Sequence, residues 1–123
     1  ELYLIRAEAY ARSSTPQDAL AMRDLNAVRT ARISGYVNED LTGATLVNAI
    51  ADERRREFVG EGHRFFDLKR TSRTLTRGST CGIPAQSPVD KCSLTPTSRE
   101  WTFPITETLT NANPNLVQNP SWK

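Results

Sequence analysis

Four carboxylates between residues 53 and 67 are the side chains of this sequence best suited to acid–base chemistry: Glu53, Glu57, Glu61 and Asp67. Two carboxylates can cleave a glycosidic bond when they face each other across a pocket and burial keeps one of them protonated. Glu53, Glu57 and Glu61 recur every four residues, so a helix would place them along a single ridge. We therefore predict no catalytic residue here and no enzymatic activity.

A metal site is the next chemistry to consider, because His63 and Asp67 are four residues apart. On a helix this spacing puts two side chains one turn apart, as in some pairs of metal ligands. His63 is the single histidine of the sequence, and one histidine without a second anchors a metal poorly. We interpret the pair as part of a polar network at the start of a helix, and predict no metal and no cofactor.

The run Arg54, Arg55 and Arg56 is the most basic stretch of the sequence. Consecutive helical residues point about 100° apart, so the three guanidinium groups share no face. Asp52 and Glu53 lie four and three residues before Arg56, within reach of it on a helix. The formal net charge is +2, too small to attract nucleic acid to the whole domain. We predict ion pairs between helices and no nucleic-acid partner.

Three aromatic residues, Trp101, Phe103 and Trp122, lie where helical periodicity is absent. Aromatic rings can stack on the apolar faces of sugar rings, which makes Trp101 and Trp122 candidate ligand-binding residues. The same rings could instead pin irregular chain onto the helical core. The sequence leaves both interpretations open.

The two cysteines, Cys81 and Cys92, flank a loop rich in Pro, Gly and Ser. A disulfide between them would indicate an oxidising compartment and would stabilise the fold by roughly 3 kcal/mol in the chain-entropy model. Two unpaired thiols are the alternative. A zinc site would need two further ligands, and only His63 is available.

The first seventy residues predict helices that position these side chains. Apolar spacing predicts four of them, over residues 2–13, 16–32, 43–59 and 63–70. Thr15 is expected to cap the second helix, with Pro16 in its first turn, and Thr42 is expected to cap the third.

The first two helices predict a hairpin. Ala7, Tyr10 and Ala19 match the small, aromatic and small positions of a tetratricopeptide unit, although Arg6 and Arg23 stand where that repeat prefers apolar residues. Small residues at 7 and 19 would let the two helices approach closely. The predicted fold class is mainly α: tetratricopeptide-like helical hairpins with a long irregular C-terminal loop and tail.

The second part of the chain predicts little regular structure. Residues 71–99 are rich in Ser, Thr, Gly and Pro and predict a long loop. Residues 101–103 alternate in polarity and predict a short strand or extended segment, and the Asn/Pro-rich tail from residue 111 predicts irregular chain. We expect residues 1–70 to form the helical core and residues 71–123 to pack on it within the same domain.

The beginning of the sequence indicates a piece of a longer protein. Glu1 and Leu2 open directly into an apolar helical run, without a starting Met, a signal peptide or a lipid-attachment cysteine. The sequence has no run of about 18 apolar residues that could span a bilayer. We expect any targeting signal to lie upstream.

Several segments, in order, resemble the SusD/RagB family of nutrient-binding lipoproteins. The resemblance covers LIRAEAY (residues 4–10), ERRREF (residues 53–58), EGHRFFDLKR (residues 61–70) and NPNLVQNP (residues 113–120). Pro104, Ile105 and Glu107 are also similar to the PIP-x-x-E segment of that family, with Thr106 in place of the second Pro.

The resemblance implies a mainly helical, non-catalytic protein that is lipid-anchored on the extracellular face of the outer membrane in Bacteroidetes-type bacteria. Such proteins pair with a TonB-dependent, SusC-like transporter and capture glycans or oligosaccharides, or sometimes peptides, for import. In this sequence the membrane would be reached only through a lipid anchor that it does not contain. The alternative is a helical-repeat scaffold that docks the transporter, with the ligand bound by the missing N-terminal part.

Overall fold

The computed structural model describes residues 1–77 and 93–122. Contacts divide the chain into two compact units, Glu1–Asp67 and Leu68–Lys123. The predicted arrangement, in which residues 71–123 pack on residues 1–70 as one domain, stays a prediction. Cys81 and Cys92 lie outside the described residues, so their predicted disulfide stays a prediction too.

The first unit consists of three helices and the start of a fourth: α1 (Leu2–Arg12), α2 (Asp18–Arg32), α3 (Gly43–Glu57) and α4 (His63–Arg70). Its apolar core lies between the first three helices, where one stripe of each is buried. The largest apolar side chains that are fully enclosed there are Leu4, Leu25, Leu46 and Ile50. The predicted mainly α fold is confirmed.

The small residues of the α1–α2 hairpin differ in part from the repeat pattern read in the sequence. Ala7 is buried as expected, but Ala19 is exposed, and the alanine that α2 contributes to the core is Ala21. Arg6 stands where the repeat prefers an apolar residue, and it donates hydrogen bonds to Asp24 of α2. The hairpin therefore keeps the small residue of α1 and places that of α2 two residues later.

The start of α2 shows why its predicted cap was wrong. The helix begins at Asp18 with Gln17 as the flanking residue, not at Pro16 after Thr15. The Ser13 hydroxyl donates to the carbonyl of Thr15, and the Gln17 N–H donates to the carbonyl of Tyr10. These bonds keep residues 13–17 in a turn, so helical geometry starts later. Thr42 does flank α3, but its side chain makes no capping hydrogen bond.

The second unit contains more structure than the sequence predicted. Two short strands, β1 (Leu75–Thr76) and β2 (Ser93–Leu94), pair in antiparallel register, with Leu75 opposite Leu94. Residues Arg99–Trp101 and Pro120–Trp122 form 3₁₀ turns, and α5 (Glu107–Ala112) is a helix. The continuous loop over 71–99 and the fully irregular tail were therefore wrong in these places. In the segment 101–103, which was predicted as a short strand or extended, Trp101 ends a 3₁₀ turn and Thr102 is extended.

These differences from the prediction have two causes. The β1–β2 pair joins residues far apart in sequence, which no local pattern reveals. The helix α5 is six residues long and has no buried residue, so it leaves no apolar periodicity to detect. Among the described residues, no helix is long and apolar enough to cross a bilayer.

Candidate functional site

The carboxylate Glu53 is buried in an ion-pair cluster between α2 and α3. Its side chain is 3% exposed, and its Oε2 accepts from Arg29 Nε at 2.9 Å and from Arg56 Nη1 at 3.0 Å. Arg29 also donates to Glu39 at 2.7 Å, which ties the loop before α3 to α2. Two guanidinium groups therefore engage Glu53 in a link between α2 and α3.

Glu57 is held in the same way by α2. Arg32 donates to both carboxylate oxygens, at 2.8 and 3.1 Å. The hydrogen bond from Arg32 lowers the pKa of Glu57 below its usual value, against the opposing effect of burial. A general acid needs the opposite shift, because it must keep its proton near neutral pH.

Asp67, in α4, is bound by Arg54. The guanidinium donates from Nε and Nη2 at 2.9 and 3.0 Å, and the same group lies 3.9 Å from Glu8 of α1. Arg54 is buried, whereas Arg55 and Arg56 are exposed. The three arginines therefore do not share a face, as predicted. Arg54 and Arg56 each form an ion pair with an acidic side chain.

His63 occupies the first position of α4. Its ring stacks on Phe58 with the centroids 4.7 Å apart, and its Nε2 lies 3.9 Å from a carboxylate oxygen of Glu61. Asp67, the other half of the predicted pair, faces Arg54. Among the described residues, no group of three metal-ligating side chains comes together.

Asp24 is a further buried acid that the sequence analysis missed. Its side chain is 1% exposed and accepts two hydrogen bonds from Arg6, at 2.6 and 2.8 Å. The hydrogen bond that Arg6 donates to this carboxylate raises the pKa of Arg6. The signal in the sequence was Arg6 itself, a charge at a position where the repeat pattern prefers an apolar residue.

Of the two tryptophans predicted to contact ligand, Trp101 is buried, with 7% of its surface exposed. Its indole N–H donates to the carbonyl of Thr95 at 2.6 Å, and its own carbonyl accepts from Lys69 Nζ at 3.2 Å. This geometry supports the interpretation that Trp101 pins irregular chain. Its role in ligand binding stays a prediction.

Trp122 belongs to a set of side chains that bind the backbone of residues 102–105; we call Gln118, Asn119 and Trp122 the tail clasp. The Trp122 indole N–H donates to the carbonyl of Thr102 at 2.6 Å, and Asn119 Nδ2 donates to that of Phe103 at 2.6 Å. The Gln118 amide accepts from the Ile105 N–H at 2.8 Å and donates to the Ile105 carbonyl at 2.7 Å.

The tail clasp gives a physical role to a segment that the sequence analysis described only by its resemblance. Main-chain polar groups need partners, and here side-chain amides and an indole supply them in place of a strand. Four hydrogen bonds of this kind fix residues 102–105 against residues 118–122. The clasp therefore determines how the aromatic residues in both stretches are presented.

Two of those aromatic side chains remain accessible. Phe103 is 76% exposed. The Trp122 ring is partly exposed and carries the guanidinium of Arg99 at 4.3 Å from its centroid. Sequence reasoning named Trp101 and Trp122, whereas the structure exposes Phe103 and Trp122.

The chain was compared with known proteins. The model of the SusD family matches residues 1–122. A solved structure described as a SusD superfamily protein from Bacteroides vulgatus ATCC 8482 is 30% identical and superposes with a TM-score of 0.66. The match covers 97% of this chain and 26% of that one, so the chain spans about a quarter of its length. No curated protein matches. With the family model matching nearly every residue, the chain belongs to the SusD family.

Proposed function

We propose that this chain is part of a non-catalytic protein that captures glycans at the bacterial surface and delivers them to a TonB-dependent, SusC-like transporter. The full-length protein would be lipid-anchored on the extracellular face of the outer membrane. Membership of the SusD family supports this proposal, because members of this family bind nutrients rather than transform them.

The observation that carries the non-catalytic part is the state of the carboxylates. Glu53, Glu57 and Asp67 each accept hydrogen bonds from arginine. These pairs connect one helix to another, and the pKa of Glu57 is lowered by Arg32. The acidic cluster therefore serves the helical scaffold, whereas glycoside cleavage needs one carboxyl whose pKa is raised.

A second candidate function, a scaffold that docks the transporter, is supported by one surface of the first unit. Leu2, Tyr3 and Ile5 of α1 are exposed and line a shared hollow together with Arg6. Clustered apolar side chains on a surface are typical of a protein interface. In this alternative, the ligand is bound by another part of the full-length protein.

The test is a glycan panel measured by calorimetry on the 123-residue chain and on the full-length protein side by side. Binding by both supports glycan capture by this chain, and Trp122→Ala should then weaken it. Binding by the full-length protein alone supports the scaffold. If the full-length protein binds no glycan on the panel, glycan capture is contradicted.

The enzymatic alternative has its own control. Glu57→Gln removes the charge held by Arg32 while keeping the shape of the side chain. We expect no glycan turnover before or after this substitution, measured by chromatography of the recovered glycan. Turnover that Glu57→Gln abolishes would contradict the non-catalytic assignment.

A further inference from the structure

We propose that the outward face of α1 is an internal interface of the full-length protein, covered by a helix from the part of its chain that precedes residue 1. This inference does not depend on glycan capture. It assigns to the protein itself the surface that the scaffold alternative gives to the transporter.

The helix α1 carries apolar residues on two opposite sides. Leu4 and Ala7 lie on the side that is buried against α2 and α3. At about 100° per residue, Leu2, Ile5 and Ala9 lie on the other side, at the spacing of an apolar helical stripe. All three are exposed in the structure. Two apolar stripes are typical of a helix that packs between neighbours on both sides.

The apolar residues on the outward face of α1 form a cluster. Leu2 is 80% exposed, and it lines one hollow together with Tyr3 and Ile5. Single apolar side chains are normal on a protein surface, whereas clustered ones usually mark a contact. Ala9 adds little bulk to this face, so a neighbouring helix could approach α1 closely there.

The charged side chain that lines the hollow, Arg6, already has its partner. It donates two hydrogen bonds to Asp24, at 2.6 and 2.8 Å, and its guanidinium lies 5.5 Å from the centre of the Tyr3 ring. An occupant therefore needs no acidic residue to match this arginine, and an apolar surface suffices. Apolar contacts of this kind are typical of permanent interfaces, because transient ones are more polar.

The length of a related protein points to an occupant from the same chain. The match to the SusD superfamily structure covers 97% of this chain and 26% of that one, so about three quarters of the relative lies outside the matched part. Helical hairpins stack in chain order, and each buries an apolar face against its neighbours. Because α3 follows the α1–α2 hairpin and packs on the inner side of α1, a preceding helix is the neighbour expected on the outer side.

Hydroxyl-radical footprinting of the purified full-length protein tests this inference, because oxidation follows the exposure of each side chain. Leu2 and Val37 are matched probes: both are aliphatic residues of the first unit, and both are 80% exposed in this structure. With each rate normalised to the unfolded protein, we expect Leu2 to be oxidised roughly tenfold more slowly than Val37, as a buried side chain is. Equal oxidation of the two overturns the inference.

The same measurement separates the other occupants. Protection of Leu2 that appears only when the purified transporter is added overturns the inference and supports the scaffold alternative. Protection that is lost on dilution also overturns it, because it indicates a second copy of the protein. Protection that depends on neither supports an internal interface.

Cross-linking then locates the segment that covers α1. A benzophenone side chain in place of Tyr3 should cross-link, on illumination, to a peptide that precedes residue 1, identified by mass spectrometry after digestion. Cross-links confined to residues 1–123 overturn the inference.

A charge placed on this face gives an independent test in the full-length protein. We expect Ile5→Glu to lower the thermal midpoint by roughly 5 °C or more, or to prevent folding, because it buries a carboxylate without a partner. Val37→Glu is the control and should keep the wild-type midpoint. Equal midpoints in the two variants overturn the inference. Glycan capture, which the glycan panel tests separately, would still stand after any of these negative results.

Discussion

Each of the two units of this chain is stabilised internally by a different kind of interaction. The first has an apolar core between three helices, and arginine–carboxylate pairs join those helices at their edges. The second buries Leu68 and Trp101 among its described apolar residues and relies on side chains that bind the backbone. The carboxylates that could have carried acid–base chemistry thus join helices in the first unit, and in the second unit side chains bound to the backbone leave Phe103 exposed.

This contrast explains the division of labour that we propose. In the first unit, the charged side chains that form ion pairs join one helix to another, so this unit suits a scaffold. Irregular chain that is fixed by hydrogen bonds can leave large side chains exposed without losing order. Each of the following predictions changes one interaction that belongs to one unit.

The largest expected effect is on the buried carboxylate of the first unit. Glu53→Ala leaves Arg29 buried with part of its charge uncompensated, which should cost about 3 kcal/mol of stability. The neighbouring Asp52 is exposed, so Asp52→Ala should change stability by less than about 0.5 kcal/mol. Urea unfolding followed by circular dichroism measures both, and equal effects would contradict a structural role for Glu53.

An effect of similar size is expected from the predicted disulfide of the second unit. If Cys81 and Cys92 are joined, reduction should lower stability by roughly 3 kcal/mol. Mass spectrometry after alkylation, with and without reductant, detects the bond directly. Alkylation of both cysteines without reductant would show two thiols and contradict the prediction.

The tail clasp should give an intermediate, local effect. Gln118→Ala removes both hydrogen bonds to Ile105, and we expect a loss of about 2 kcal/mol in the protection of that segment. Hydrogen–deuterium exchange at the Ile105 amide measures it. Asn111→Ala is the control, because Asn111 is exposed in the same unit. Equal exchange in the two variants would mean that the clasp does not hold the segment.

The smallest effect is the pH dependence of the Arg32–Glu57 pair. Because the pKa of Glu57 is lowered in the folded state, the pair stabilises the fold above the ordinary carboxyl pKa near 4.5. This contribution is lost as the pH falls through the lowered pKa. Arg32 is mostly exposed, so the contribution should be below about 1 kcal/mol. Glu57→Gln should remove this part of the acid sensitivity, and an unchanged pH profile would contradict it.

The sequence predicted the first unit well and the second poorly, for physical reasons. Apolar spacing located all four helices, and α4 has the predicted bounds, because residues one turn apart must share the buried stripe. The cap at Thr15 was wrong because the Ser13 and Gln17 bonds compete with it.

In the candidate site, the sequence supplied the residue types but not their exposure. Trp101 and Phe103 are two residues apart, yet Trp101 is buried, with its indole bound to the Thr95 carbonyl, and Phe103 is exposed, with its carbonyl bound by Asn119. Such side-chain-to-backbone bonds join residues up to 32 apart. They have no periodicity, so no local pattern could reveal them.

The most direct test of the whole account is incubation of the full-length protein with each glycan of the panel, followed by calorimetry and by chromatography of the recovered ligand. We predict that at least one glycan binds and is recovered intact. Recovery of a cleaved glycan, with cleavage lost in Glu57→Gln, would contradict the account.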